Sequence, residues 1–418
     1  MARSQSIFNG TDLSSKMRGL LGFMSLAQFP FSQSLSFAST TPKNSSILST
    51  DGFSSPSLSY SAAQKAVCVT GYLDVPVQAT TTEILYDGPT NNTQLTSLLI
   101  SLFALDSTVV GSLIGGTASV SDTYTIYSKL CVPTDATVES IKTVQFLTHG
   151  GTTDHTYWDF ATDYSYVDAA AARGYATFSY DRLGTGRSQH PDPIQVVQVA
   201  TQVELAHALI SGLKAGSYGG VTFGSAVGVG HSLGSALTQG ISAKYPSDFT
   251  ALALTGHSGF QGGVPVGIAS QASQIANTVD LPQFSGLANG YITESSTPQA
   301  IQFAFFHHPG YDETILEKQL ATRQTNALGE TFTLGAAYAP AAGFTGPVII
   351  LNGNEDWFFC QGNCNAQEIT STFLPYFFPN ASPKSTTYTV GNTGHNVNLH
   401  YSASKSFGIL LEFLADTA

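Results

Sequence analysis

The sequence VGVGHSLGSA (227–236) places one serine between two glycines directly after a run of β-forming residues. This arrangement constrains the fold more than any other part of the chain. A buried strand has no use for glycines two residues before and after a hydroxyl, because glycine weakens a strand. A sharp turn needs them, since glycine lets neighbouring backbone pass without a Cβ clash. The pattern at 235–246 is typical of a helix. We therefore predict a strand, a tight turn that exposes Ser232, and a helix.

Strand and helix patterns alternate before and after this turn. Short β-branched or apolar runs predict strands, and longer amphipathic runs predict helices. The predicted strands lie at 143–150, 175–184, 249–258 and 346–354, and the predicted helices at 156–174, 193–216, 235–246 and 401–418. This alternation predicts an α/β fold with a mostly parallel central sheet and helices on both faces. Between 65 and 146, β-branched stretches predict a few antiparallel strands with a short helix at 92–105.

The regular alternation is interrupted at 259–345, where the pattern becomes helical and irregular. An insertion late in a parallel sheet lies above the carboxyl ends of the strands, where open α/β sheets bind ligands. We therefore interpret 259–345 as an inserted helical cap, or lid. The other predicted segments are a leader and flexible linker at 1–60, the first part of the α/β core at 61–258 and its last part at 346–418.

Charge and the N-terminal sequence limit the partners and the location. The net charge of −12 at pH 7 and the lack of any Lys or Arg cluster exclude the basic surface that nucleic acid requires. Met17-Arg18 opens a short positive start and an apolar stretch of the secretory type, which is too short and too rich in serine to span a bilayer. The sequence therefore predicts a secreted protein without stable membrane insertion. The alternative interpretation of this segment is a disordered tail.

Four cysteines allow three disulfide pairings. Cys360 and Cys364 are close enough in sequence to bridge one loop, which leaves Cys68 to pair with Cys131. A metal site or free buried thiols are the alternatives, although no histidine stands at ligand spacing beside the 360–364 pair. Two disulfides indicate an oxidising compartment. Candidate glycosylation sequons of such a compartment are at Asn9, Asn44, Asn91 and Asn380.

Three residues in one sequence order are candidates for a nucleophile, an acid and a base. A serine hydroxyl is a weak nucleophile until a base takes its proton, and a serine on a strand–turn–helix elbow is followed by an acid and then a histidine. The strand at 346–354 leads into two acids, of which Asp356 is predicted to orient the histidine, with Glu355 as the alternative. The Gly-rich turn before the last helix supplies His395. Ser232, Asp356 and His395 are therefore the candidate catalytic residues.

A tetrahedral oxyanion also needs N–H donors. The first candidate is the amide of Leu233, directly after the serine. The second comes from the loop after the strand at 143–150, where His149-Gly150-Gly151 stands and glycine lets the backbone approach a substrate. We predict the amide of Gly151 as this donor, with an ordinary turn as the alternative.

Taken in order, these motifs resemble the α/β-hydrolase superfamily, and most of all its secreted fungal-type members. The residues that carry the resemblance are His149-Gly150-Gly151, YDRLGTGRS (180–188), GHSLG (230–234), GNED (353–356) and GH (394–395). The resemblance spans about 145–418 and implies the α/β-hydrolase fold, the triad and hydrolysis without a cofactor. In that family DRLGTGRS is a structural turn, which implies no catalytic role for Asp181, Arg182 or Arg187.

Two departures narrow the class that this resemblance implies. Ser232 disfavours the members with an aspartate nucleophile, the epoxide hydrolases and dehalogenases. Thr152-Thr153 stand after His-Gly-Gly where the proline-type aminopeptidases carry proline.

The function predicted from these residues is a secreted serine hydrolase that cleaves carboxylic esters, with no metal and no cofactor. Its substrate would be a small apolar or aromatic ester, in a pocket shaped by Phe303, Phe305 and Phe306 of the cap. The first alternative is a hydrolase that tailors a secondary metabolite, as a thioesterase, a lactonase or a C–C hydrolase with the same triad. The second is a hydrolase-like binding module without activity. The remaining histidines are interpreted as structural, with His257 and His307-His308 as possible pocket-lining residues.

Overall fold

The computed structural model describes residues 48–137, 140–260, 262–365 and 372–417 of the 418-residue chain. The predicted secretory start at Met17 and the sequons at Asn9 and Asn44 lie outside these residues. In the described part of the chain, no helix combines the length and the apolar composition needed to cross a membrane.

A central sheet of nine strands organises the fold. The strands of the described residues are β1 (Ser54–Tyr60), β2 (Ala66–Ile84), β3 (Ile114–Pro133), β4 (Thr143–Thr148), β5 (Ala176–Tyr180), β6 (Ser225–His231), β7 (Ala251–Thr255), β8 (Gln274–Ile275), β9 (Tyr291–Thr293), β10 (Asn326–Ala327), β11 (Val348–Gly353) and β12 (Thr386–Val390). The order in the large sheet is β1-β2-β3-β5-β4-β6-β7-β11-β12. From β5 to β12 in this order the strands are parallel, whereas β1, β2, β3 and β5 pair antiparallel. The predicted mostly parallel sheet is confirmed.

Helices cover both faces of this sheet. The α-helices of the described residues are α1 (Asn92–Leu102), α2 (Val109–Leu113), α3 (Tyr166–Ala171), α4 (Val199–Ala215), α5 (Leu233–Lys244), α6 (Val264–Gln271), α7 (Pro298–Phe305), α8 (Glu313–Ala321), α9 (Leu328–Thr333), α10 (Trp357–Cys360), α11 (Phe373–Phe377) and α12 (Ala403–Thr417). Phe146 of β4 lies in one core with α4 and α5, and Leu147 lies in a second core with α3 and α12. Because successive side chains of a strand point to opposite faces, these two cores lie on opposite sides of the sheet.

The folded part of the chain begins earlier than the sequence predicts. β1 lies inside the segment 1–60, which is predicted to be a flexible linker, and pairs antiparallel with β2. The linker prediction is therefore wrong for residues 54–60. The sequence SSPSLSY does not predict a strand, because an edge strand with mostly exposed side chains needs few apolar residues and shows no alternating pattern.

β2 and β3 form a long antiparallel pair in which Ala66 is opposite Pro133 and Ile84 is opposite Ile114. The connection between them carries α1 and α2. The antiparallel strands and the short helix predicted for this region are confirmed.

The segment between β7 and β11 contains α6 to α9 and a small antiparallel sheet with the order β10-β9-β8. The sequence does not predict this sheet, because strands of two or three residues are too short to show an alternating pattern. The domain bounds, and the role of 259–345 as a cap, stay predictions.

The four cysteines form two disulfides, Cys68–Cys131 and Cys360–Cys364. The first joins residues that lie directly opposite each other on β2 and β3. The second closes the loop that follows α10. The predicted pairing is confirmed, and the alternatives of a cysteine metal site and of free thiols are wrong.

Loss of Cys68–Cys131 is expected to destabilise the fold more than loss of Cys360–Cys364. The bonded residues are 63 and 4 positions apart, and a longer closed loop restricts the unfolded chain more. Chain entropy predicts losses of about 4 and about 2 kcal/mol in the free energy of unfolding. Urea unfolding of the two double variants, Cys68→Ala/Cys131→Ala and Cys360→Ala/Cys364→Ala, measures both. Equal losses, or a larger loss for the second variant, would contradict the prediction.

Candidate active site

Ser232 lies in the tight turn between β6 and α5, with φ 55° and ψ −121°. A positive φ is strained for a residue other than glycine and is found at functional turns. A Cβ on Gly230 would lie 2.6 Å from Cα of Ser235, and one on Gly234 would lie 2.0 Å from the carbonyl oxygen of Thr148. Both positions therefore require glycine. The Gly-x-Ser-x-Gly spacing is a packing requirement of this turn.

The structure brings Ser232, His395 and Asp356 into one hydrogen-bonded chain. His395 Nε2 lies 2.8 Å from Ser232 Oγ, and His395 Nδ1 lies 2.7 Å from Asp356 Oδ2. The side chains of Asp356 and His395 are both buried. An ionised Asp356 can only accept a hydrogen bond, so Nδ1 carries the ring proton and Nε2 is free to accept the proton of Ser232. This geometry can activate the serine as a nucleophile.

The structure distinguishes between the two candidate acids that follow β11. Asp356 caps α10, where its Oδ1 accepts from the amide of Phe359 at 3.0 Å, and its Oδ2 faces His395. The carboxylate of Glu355 instead accepts from the amide of Thr393 at 2.9 Å. Asp356 is therefore the acid that reaches the histidine, and Glu355 holds the neighbouring loop.

The loop that carries His395 is organised by a second histidine. His400 Nε2 accepts from the amides of Gly394 and His307, both at 3.0 Å, and His400 Nδ1 donates to the carbonyl of Asn396 at 2.8 Å. Burial lowers the pKa of His400 to about 4, so its ring is neutral and Nε2 can accept. His400 precedes α12 and links the loop of His395 to the segment after α7, so its role is structural, as predicted for the remaining histidines.

Two amide groups stand beside Ser232. Gly151 and Leu233 line the same cavity as the serine, and among the described residues neither amide has a hydrogen-bond acceptor. The loop that carries Gly151 is fixed by His149, whose Nε2 accepts from the amide of Arg182 at 3.0 Å and whose Nδ1 donates to the carbonyl of Gly150 at 2.8 Å. Burial, together with the nearby Arg182 guanidinium, lowers the pKa of His149 to about 3 and keeps the ring neutral.

A model of the alpha/beta hydrolase family matches residues 146–404, more than half of the 418 residues. The chain belongs to this family. The matched range contains the serine, the acid and the histidine of the hydrogen-bonded chain. A search of curated proteins found no match to this hydrolase.

Several solved structures are similar to this hydrolase. One is an esterase from Thermogutta terrifontis with malate bound, with 16% identity, 71% of this chain and 94% of that chain covered, and a TM-score of 0.45. A second is an enol-lactonase from Burkholderia xenovorans LB400, with 15% identity, coverages of 70% and 97%, and a TM-score of 0.46. A third is an epoxide hydrolase from Vigna radiata, with 13% identity, coverages of 70% and 95%, and a TM-score of 0.44.

A buried ion pair lies behind the loop of His149, Gly150 and Gly151, which we call the glycine loop. Arg182 pairs through Nη1 with Glu330 of α9, and its Nη2 lies 3.4 Å from the carbonyl oxygen of Gly150. Gln202 of α4 donates to the same Glu330 oxygen at 2.8 Å. Arg182 thus joins the loop of Gly150 to Glu330, in the segment between β7 and β11.

Thr152, directly after Gly151, is held in a strained conformation by two residues of the segment between β7 and β11. Its φ of 54° is rare for a β-branched residue. Its amide donates to Asn326 Oδ1 at 3.1 Å, and its hydroxyl is hydrogen-bonded to the buried carboxyl of Glu294. Burial raises the pKa of Glu294 to about 8, which favours its neutral form. The position of Gly151 therefore depends on two side chains that the sequence analysis does not single out.

A cavity of about 140 Å³ opens in front of Ser232. Much of its wall is apolar and comes from α6, α7, α9, α10 and the segments beside them. Its apolar lining includes Phe103, Val264, Ile268, Phe305, Leu334, Phe358 and Phe359. Such a cavity accommodates an apolar group next to the nucleophile.

Only one of the three phenylalanines predicted to shape this pocket lines it, namely Phe305. Phe303 is 45% exposed and packs on Trp357, and Phe306 packs on Tyr311 and His400. The prediction is wrong for Phe303 because α7 presents another face to the cavity, and for Phe306 because the helix ends at Phe305 and the next residue is extended. Likewise, none of His257, His307 and His308 lines the cavity.

One group of donors in the described part of the chain is close enough to hold a metal ion. The ligand atoms of Asp154, His155 and Asp181 lie within 4.8 Å of one another. Asp181 already accepts from the His155 ring at 2.5 Å and from the Arg187 amide at 2.8 Å, and Asp154 caps the amide of Thr156 at 2.9 Å. Because these bonds connect neighbouring loops, we interpret the group as structural and assign no metal to it.

Proposed function

We propose that this hydrolase is a secreted serine esterase that cleaves carboxylic esters through an acyl-enzyme. The observation that carries the proposal is the chain of hydrogen bonds from Ser232 through His395 to Asp356, at 2.8 and 2.7 Å, beside an apolar cavity. A serine that is polarised by a buried histidine and faces space for an apolar group suits acyl transfer better than binding alone.

Acylation begins when Ser232 Oγ attacks the carbonyl carbon of the ester while His395 Nε2 takes the hydroxyl proton. Asp356 stabilises the imidazolium that forms. The carbonyl electrons move onto oxygen, which receives hydrogen bonds from the amides of Leu233 and Gly151, each contributing about 3 kcal/mol. The N-terminus of α5 adds a favourable dipole. Collapse of the intermediate breaks the bond to the alcohol, which leaves with the proton from His395.

Deacylation repeats these steps with water. His395 takes a proton from a water molecule as its oxygen attacks the acyl carbon of the Ser232 ester, and the two amides bind the second oxyanion. The tetrahedral intermediate then releases the carboxylic acid, and Ser232 recovers its proton from His395. All atoms of the reaction come from the ester and one water.

Secretion is supported by two disulfides, which form and persist in oxidising compartments. Asn91 and Asn380 are exposed, so both described sequons are accessible for glycosylation. Thioesters, lactones and activated C–C bonds stay alternative substrates because the same triad acts on them. A binding module without activity is disfavoured by the intact hydrogen-bonded chain.

A fluorophosphonate probe tests the catalytic proposal directly. We expect the folded chain to bind one probe molecule covalently at Ser232, since an activated serine attacks phosphorus as it attacks a carbonyl. Ser232→Ala should not be labelled, whereas the exposed control Ser247→Ala should be labelled like the wild type. Mass spectrometry measures the added mass. A panel of p-nitrophenyl esters, thioesters and lactones then ranks the substrate classes by kcat/KM.

Absence of labelling in the folded wild-type chain would refute the catalytic proposal and leave the binding module. If Ser232 is labelled but lactones or thioesters are turned over faster than esters, the serine mechanism is supported. The proposed substrate class is then wrong.

A further inference from the structure

A second cavity, of about 390 Å³, lies beside the one at Ser232. One wall comes from α1 and the residue after it, through Leu99, Ile100 and Phe103, and the other from α6, through Pro265, Ile268 and Ala269. The lining contains no charged side chain. We call this cavity the α1–α6 groove.

The α1–α6 groove adjoins the cavity at Ser232. Phe103 and Ile268 line both spaces, so these two side chains lie at the boundary between them. A chain of atoms attached to a group at Ser232 that passes between these two side chains would lie in the groove.

The α1 wall of the groove is held by the segment that follows α6. Asn92, at the start of α1, accepts from the amide of Ile275 at 2.7 Å and donates to Thr278 Oγ1 at 3.1 Å. Leu95 of α1 is fully buried and packs in a cluster with Ile275 and Leu328. The α1 wall of the groove is thus fixed by hydrogen bonds and by a buried apolar contact.

Ile100 of the groove lining is 67% exposed, so the apolar surface of α1 extends from the groove to the solvent. The uncharged walls would not stabilise a charged ligand, because burying an unpaired charge is costly.

We infer that the α1–α6 groove is a subsite for a long alkyl chain, and that the preferred substrates are esters that carry such a chain. The inference rests on the proposed ester hydrolysis at Ser232. A neutral, apolar groove that adjoins the cavity of the nucleophile suits an unbranched chain, whose every buried methylene raises affinity about fourfold. The small cavity at Ser232 then holds the ester group and the first carbons of the chain.

The kinetic test blocks the groove without touching the cavity at Ser232. Ala269 lines the groove only, and Ala269→Trp places a large ring in it. We expect the ratio of kcat/KM for p-nitrophenyl decanoate to that for p-nitrophenyl acetate to fall at least about tenfold. Val266→Trp is the matched control, because Val266 is an exposed residue of the same helix that lines neither space. An unchanged ratio in Ala269→Trp would overturn the inference.

A binding test separates this inference from the proposed reaction. cis-Parinaric acid, a fluorescent fatty acid of 18 carbons, reports its transfer into an apolar site and needs no catalysis. We expect Ala269→Trp to weaken its binding at least about tenfold and Val266→Trp to leave it unchanged. If Ala269→Trp weakens the binding of cis-parinaric acid but Ser232 is not labelled by the fluorophosphonate, the alkyl-chain subsite is supported and the proposed reaction is refuted. Equal affinity of the wild type and Ala269→Trp for cis-parinaric acid would overturn the inference that the groove binds an alkyl chain.

Thr96→Trp blocks the groove from the opposite wall. It provides the same test if Ala269→Trp does not fold. Thr96 lies on α1, is exposed and lines the groove only. Thermal unfolding identifies which variants keep the wild-type Tm. A folded Thr96→Trp chain with an unchanged decanoate-to-acetate ratio would also overturn the inference.

Discussion

Replacing Asp356 by asparagine is expected to lower kcat about 10⁴-fold while the fold is kept. Asparagine has nearly the same shape, and its oxygen can still accept from the amide of Phe359, as Asp356 Oδ1 does at 3.0 Å. The amide group that then faces His395 no longer supplies a negative charge. The ring loses both the partner that fixes its proton on Nδ1 and the charge that stabilises the imidazolium. Steady-state hydrolysis of a p-nitrophenyl ester measures the loss.

Glu355→Gln is the matched control for this prediction. Its carboxylate accepts from the amide of Thr393 at 2.9 Å, and a glutamine oxygen can keep that bond. We expect little change in kcat. A large loss in Glu355→Gln together with wild-type kcat in Asp356→Asn would assign the acid to Glu355. Equal losses in the two variants would show that the effect is not specific to the carboxylate that faces His395.

The positions of Ser232, Asp356 and His395 could be predicted because each follows a strand of a parallel sheet. The carboxyl ends of β6, β11 and β12 meet at one edge, so the sequence order of three polar residues is enough to bring them together. The glycines on both sides of the serine add a local signal, since the backbone at Gly230 and Gly234 leaves no room for a Cβ.

The wall of the active site could not be predicted in the same way. Phe103 reaches the cavity from the connection between β2 and β3, more than 100 positions before Ser232 in the sequence, and no periodic pattern places that connection against α6. The predicted Phe303 of α7 and Phe306, directly after this helix, pack on Trp357 and on His400 instead. A helix face is set by tertiary packing, which a short irregular sequence does not reveal.

Glu294 is missed for a related reason, because it is a single acid in an irregular segment. Its burial appears only when β9 and the loop after it pack on the glycine loop. Thr152 Oγ1 is hydrogen-bonded to the Glu294 carboxyl and lies 2.8 Å from the carbonyl oxygen of Gly151. A hydroxyl has one proton, so a neutral Glu294 that donates to Thr152 leaves Thr152 able to donate to Gly151. The charge of Arg323, whose Nε donates to the Glu294 backbone carbonyl at 3.3 Å, lowers the pKa of Glu294, but burial raises it by more.

Glu294 is therefore expected to make the folded chain less stable as pH rises through neutrality. The carboxyl titrates near its ordinary value of 4.5 in the unfolded chain, whereas burial raises its pKa to about 8 in the folded chain. Between these values the folded state binds more protons than the unfolded state, so the free energy of unfolding falls with rising pH. The fall that this residue causes is at most about 5 kcal/mol and ends above pH 8.

Glu294→Gln should abolish this part of the pH dependence. A glutamine Nε2 can donate to Thr152 as the neutral acid does, and it does not ionise. Urea unfolding at pH 5, 7 and 9 is expected to give a shallower decline for Glu294→Gln than for the wild type, with the largest difference at pH 9. Glu313→Gln, at an exposed position of α8, should keep the wild-type decline. If the free energy of unfolding falls equally with pH in the wild type and in Glu294→Gln, the buried carboxyl is ionised in the folded chain. A carboxylate, and not a neutral acid, would then hold Thr152 beside Gly151.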